Sequence, residues 1–168
     1  MNLWPCGNFL SDQKPCSCAP ATVTKYQKRI SGPLLNRIDI HIEVPRVDYE
    51  KLSADRVGES SAAIRAHVQA ARDIQAKRFS NNGSSDIVCN ADMRVGEIQQ
   101  FCKLQDESQS LMRTAMSQLN LSARAYLRIP KLARTIADLA GCDEIQSAHL
   151  AEALDASRSS EVDDGVGE

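Results

Sequence analysis

Apolar residues recur at every third or fourth position through most of the chain beyond Glu59. Ile64, Val68, Ala71 and Ile74 fall on one side of a helix that runs from Glu59 to Phe79. Asn90 is placed to cap a helix reaching about Leu104, and Ser108 to Leu119 carries Leu111, Met112, Ala115, Met116 and Leu119 at helical spacing. Ser122 caps a longer helix lined by Ile129, Leu132, Ala133, Ile136 and Leu139, and Gly141 stops it. Pro130 lies inside that helix, where a kink or break is expected. Ser147 to Ser157 is the last helix. Period 2 governs one stretch, Ile38-Asp39-Ile40-His41-Ile42-Glu43-Val44, which reads as an edge strand ended by Pro45.

The remaining segments lack a regular period. Residues 1–20 hold four prolines and glycines between clustered cysteines and read as irregular, with a short helix over Ala21 to Arg29. Residues 80–85 form a loop, and the tail from Arg158 has nothing to bury and reads as disordered. No internal repeat is evident. A single strand is not stable by itself, so the one here needs a partner strand or belongs to a larger protein.

Composition narrows this picture. The 168 residues are 42% hydrophobic, 25% charged and only 4% aromatic, which suits an Ala/Leu-packed helical body better than a β-sandwich. Twenty basic against 22 acidic side chains give a net charge of −2, so any surface for nucleic acid must be local. No run approaches the roughly 18 apolar residues of a spanning helix, and no basic-then-apolar leader opens the chain. A cytoplasmic, reducing compartment follows as the expectation, with no membrane partner.

In such a compartment the six cysteines are not a disulfide framework. Cys89, Cys102 and Cys142 read as scattered, partly buried thiols. Cys6, Cys16 and Cys18 crowd one end and form an incomplete zinc site, to which an outside fourth ligand such as His41 or Cys89 would have to be added. Arg134 and Asp138 stand at i and i+4 and read as a helix-surface ion pair. His41 reads as solvated, and His67 and His149 as exposed or half-buried. No Ser-His-Asp arrangement or paired-carboxylate site stands out.

Four stretches together resemble the magnesium chelatase-like AAA+ ATPases, in the branch related to bacterial competence. They are Asn2-Leu3-Trp4-Pro5-Cys6-Gly7 with Cys16-Ser17-Cys18; Ile30 to Asp39; Glu59 to Arg65; and Leu121 to Tyr126 with Ala133 to Leu139 behind it. The resemblance implies a mainly α fragment of an AAA+ module: the last strand of the nucleotide-binding core plus the helical lid. Residues 1–45 would be the core remnant, 46–58 a linker, 59–157 the lid and 158–168 a tail. It further implies that Asn2 is sensor 1, Arg37 an arginine finger acting on a neighbouring subunit and Arg124 sensor 2, facing nucleotide held by its own subunit. ATP, Mg²⁺ and a homo-oligomeric ring come with the family, as does work on DNA in the competence branch or metal insertion in the chelatase branch.

The sequence departs from that pattern. Leu3 and Trp4 replace a proline and the first of four cysteines, and Asn36 replaces an aspartate before the finger. No G-x-x-x-x-G-K-[ST] phosphate loop occurs in the 168 residues, and no strand-ending acidic pair for Mg²⁺. The chain reads as opening at sensor 1, and no ATP hydrolysis is expected of it alone. A competing reading is a non-enzymatic binding module made of a zinc knuckle and a helical bundle.

Overall fold

The computed structural model describes residues 5–8, 15–29, 37–42, 44, 47, 58–80, 86–119 and 121–157. The chain divides into two units, 1–39 and 40–168. Among the described residues the fold is mainly helical and contains no strand.

The first unit holds helix α1, Pro20–Gln27, which starts on a proline at its first position. Ahead of it, Pro5 to Asn8 forms a turn in which Gly7 takes a positive φ of 71°.

The second unit contains α2 (Ser61–Ser80), a 3₁₀ turn (Asn90–Asp92), α3 (Val95–Phe101), α4 (Asp106–Gln118), α5 (Ala123–Leu139) and α6 (Ser147–Ser157). Helix α5 is the hub. It packs on α2, α3, α6 and the 3₁₀ turn, while α4 packs on α6. Ile129, Ala133 and Ala137 of α5 and Leu150 and Ala153 of α6 are completely buried, and small alanines at this seam let the two helices approach closely. Phe79 and Phe101 meet edge to face with centroids 5.7 Å apart, closing the core between α2 and α3. Among the described residues no helix is long and apolar enough to cross a membrane.

Several expectations need correction. The strand over residues 38–44 is not formed at its described positions. Ile40, Ile42 and Val44 are exposed, and the His41 N–H donates to the Ala156 carbonyl at 2.8 Å rather than to a partner strand. Without a second ladder, alternation alone does not make a sheet. The single helix expected from Asn90 to Leu104 is two elements. The Asp92 carboxylate accepts the Val88 and Cys89 N–H groups at 3.2 and 3.1 Å, which tightens the first turn. Glu97 then accepts the Arg94 N–H at 2.8 Å and starts α3 afresh.

Helix α2 buries Ala71, Gln75 and Phe79; of the face read from periodicity only Ala71 is buried, and Ile64, Val68 and Ile74 stay 36–47% exposed. Helix α5 runs unbroken through Pro130, whose ring is buried beside Ile129, so packing offsets the lost hydrogen bond. The loop expected at 80–85 lies outside the described residues beyond Ser80, as do the tail from Arg158 and most of the 46–58 linker.

Candidate functional site

The Ser122 hydroxyl accepts the Ala125 N–H at 3.3 Å, capping α5 as the sequence predicts. This fixes the next residue but one, Arg124, in the first turn, with its side chain exposed. A guanidinium at a capped helix N-terminus adds its charge to the free N–H groups of the first turn, an arrangement that suits a phosphate.

Behind this turn, α5 is clamped by a buried polar network that sequence reading placed on the surface. Arg134 and Asp138 are each only 2% exposed. Arg134 Nε donates to Asp138 Oδ1 at 2.9 Å, and its other nitrogens donate to the Asp143 and Cys142 carbonyls beyond the helix end. Arg78 of α2 forms a bidentate pair with the same carboxylate, and also donates to Asn90 Oδ1 at 2.9 Å. Asn90 Nδ2 donates to Asp138 Oδ2 at 2.7 Å and to Thr135 Oγ1 at 3.1 Å. Gln75 Oε1 accepts the Asn90 N–H at 3.2 Å. Asn90 is therefore the joint between three elements rather than a helix cap.

Burial pushes the Asp138 carboxyl up, but hydrogen bonds from Arg78 and Asn90 and the charges of Arg134 and Arg78 outweigh it, and the group ends below its ordinary value. The spacing Arg134-x-x-x-Asp138 signalled the pair; its burial depended on Arg78, 60 residues earlier, which periodicity could not locate. An adjoining cleft of about 370 Å³ is lined by Arg78, Lys103 and Arg134 together with Asp143 and Glu144. Its two arginines are already committed to Asp138 and to backbone carbonyls.

In the first unit the structure brings Cys6, Cys16 and Cys18 together, with their Sγ atoms all within 4.8 Å of one another. Cys6 and Cys16 are closest, at 3.2 Å. Hydrogen bonding by the Asn8 N–H and then by Cys16 holds the Cys6 thiol below its ordinary value. The Cys18 thiol is pushed up to about 11, first by its hydrogen bond with Cys6 and then by burial.

Arg37 is exposed in a turn of this unit. Asn2, Trp4 and Asn36 lie outside the described residues. The scattered thiols divide: burial pushes Cys102 up to about 11, while Cys89 donates to Asp92 at 3.3 Å. His149 is buried, its Nδ1 accepting the Gln146 N–H at 3.2 Å, while His67 is exposed with Nε2 2.6 Å from the Leu139 carbonyl.

Residues 58–156 match the family described as magnesium chelatase, subunit ChlI C-terminal, and residues 1–52 match magnesium chelatase, subunit ChlI. Competence protein ComM of Haemophilus influenzae is 40% identical over 156 residues, which is 92% of this chain and 29% of that protein. YifB of Escherichia coli K12, an uncharacterized protein, is 39% identical over 155 residues with the same coverage. The chain thus spans about 29% of the length of the curated relatives it matches.

Proposed function

Because the chain belongs to the magnesium chelatase subunit ChlI family, we propose that its helical unit is the lid of an ATPase that binds ATP with Mg²⁺ at the subunit interfaces of a homo-oligomeric ring. Residues 59–157 form the lid in this reading, and residues 1–45 adjoin the nucleotide-binding core. The observation that supports it most is Arg124: an exposed guanidinium in the capped first turn of α5, on a helix made rigid by the Arg78–Asp138–Arg134 network. Arg124 neutralises phosphate charge from its own subunit. Arg37, exposed in its turn, reaches a neighbour's nucleotide, and Asn2 orients the attacking water.

The 168 residues hold no phosphate loop, so that loop and the Mg²⁺ ligands come from the rest of the whole protein, and the chain alone turns over no ATP. The substrate acted on is DNA, in the cytoplasm. The kinship to a protein named for competence favours this over metal insertion into a porphyrin.

The test is a chimera in which residues 1–157 replace the matching segment of the Haemophilus protein. We expect DNA-stimulated ATP turnover, a fall of about 10³-fold or more with Arg37→Ala, and a marked fall with Arg124→Ala at unchanged ring assembly. Mixing Arg37→Ala subunits with subunits lacking the phosphate-loop lysine restores part of the rate if the finger works in trans. Full turnover in the Arg124→Ala chimera would overturn the assignment.

A further inference from the structure

Cys16 and Cys18 flank a single residue, and Cys6, which joins them, precedes a turn through Gly7. The positive φ of 71° at Gly7 bends the chain back so that the Asn8 N–H donates to Cys6 Sγ at 3.4 Å. One residue beyond Ser17, the Cys18 N–H donates to Cys16 Sγ at 3.4 Å in the same way. Two sulfurs thus each receive a backbone N–H, the arrangement that stabilises a thiolate bound to a cation and fixes its direction.

The sulfur triangle is close to what a metal requires. Zinc–thiolate bonds of about 2.3 Å at tetrahedral angles put sulfurs roughly 3.8 Å apart. The three Sγ atoms lie within 4.8 Å of one another, and the Cys6–Cys16 pair at 3.2 Å needs to open by only about half an ångström. The pair is well beyond the ~2.05 Å of a disulfide. Three soft sulfur donors without a carboxylate select a thiophilic cation such as Zn²⁺ over Mg²⁺ or Ca²⁺.

We propose that Cys6, Cys16 and Cys18 bind one Zn²⁺ as three thiolates and leave its fourth position open to an exogenous ligand, water at rest. The inference stands independently of the ATPase reading. On binding, three S–H bonds give up their protons to solvent and three Zn–S bonds form, so the first shell carries 2 − 3 = −1. Among the described residues no fourth cysteine, histidine or carboxylate joins the three sulfurs, so neither Cys89 nor His41 closes the site. The Cys-x-Cys spacing of Cys16 and Cys18, repeated around Cys6, falls on position 4, which is tryptophan. An open position distinguishes a metal that can take up a ligand from one that only staples the fold.

The experiment uses the full chain kept reduced with a phosphine. Zn²⁺ content is measured after gel filtration, and Co²⁺ is titrated in as a spectroscopic probe. The expected result is one metal per chain, sulfur-to-cobalt absorption of a three-thiolate site, and a shift toward a four-thiolate spectrum when mercaptoethanol is added. Cys6→Ser and Cys18→Ser should each lose stoichiometric metal, with unchanged far-UV circular dichroism showing that the helical unit is intact. Trp4→Cys should bind at least tenfold tighter and no longer respond to mercaptoethanol. Metal content no higher in the wild type than in Cys6→Ser would overturn the site. A wild-type spectrum already showing four thiolates, or one blind to added thiol, would overturn the open position.

Discussion

Asp138 accepts hydrogen bonds from Arg78, Asn90 and Arg134 while its side chain is wholly excluded from solvent. Removing it strands the buried Arg134 guanidinium and the half-buried Arg78, so Asp138→Ala should cost about 3–5 kcal/mol, measured by urea unfolding at neutral pH; a loss below about 1 kcal/mol would mean the pair acts as an exposed one. The same residue gives acid sensitivity. Its folded value lies below the ordinary ~3.9, so the unfolded chain binds more protons in acid. Its contribution is complete above the unfolded value and fades as pH falls through the folded one. In Asp138→Asn that part of the acid loss should vanish: between about pH 6 and about pH 3, the variant should lose less stability than the wild type, and equal losses would argue against a depressed carboxyl. The i, i+4 spacing of Arg134 and Asp138 was visible in the sequence; its burial was not, because Arg78 and Asn90 arrive from other elements.

The ends of the elements follow local chemistry. Ser122 caps α5, and Gly141 follows its end with φ at 67°, its N–H donating to the Asp138 carbonyl at 3.1 Å. A Cβ at Gly141 meets nothing within 4 Å, so any penalty of Gly141→Ala is a backbone penalty alone, about 1 kcal/mol. Gly96, inside α3, also has open space where a Cβ would sit but an ordinary φ. Gly96→Ala should therefore stabilise the protein by roughly 0.5 kcal/mol. Thermal unfolding of the two variants gives opposite signs; like signs would mean that crowding, not φ, decides. Periodicity was less informative for α2. It marked Ile64, Val68, Ala71 and Ile74, of which only Ala71 is buried, beside Gln75 and Phe79, because the position of α5 and the 3₁₀ turn selects the face.

At the scale of the whole molecule, the main apolar core of the described residues runs from Phe79 to Leu154. Of the bonds from the segment before Gly58 to these helices, the His41–Ala156 hydrogen bond is one of 2.8 Å. A chain of residues 58–157 should therefore fold cooperatively by itself. Loss of the His41–Ala156 bond lowers its melting point by about 8 °C or less in a domain of this size, and a single cooperative transition is the expected result. A non-cooperative melt by circular dichroism would show that the helices depend on the earlier segment.

The caps at Ser122 and Gly141 were determined by local sequence, since each depends on residues a few positions apart. The exposed place of Arg124 in the first turn of α5 follows from the same cap. Tertiary structure alone decided that residues 38–44 form no strand at their described positions, since a ladder needs a partner that no local pattern can provide. It also decided that Asn90 joins a network instead of capping a helix, and that Arg134 and Asp138 are core residues. A buried charge is stable only where donors from distant parts of the chain converge on it, and that convergence belongs to the packing of α2, α5 and the 3₁₀ turn.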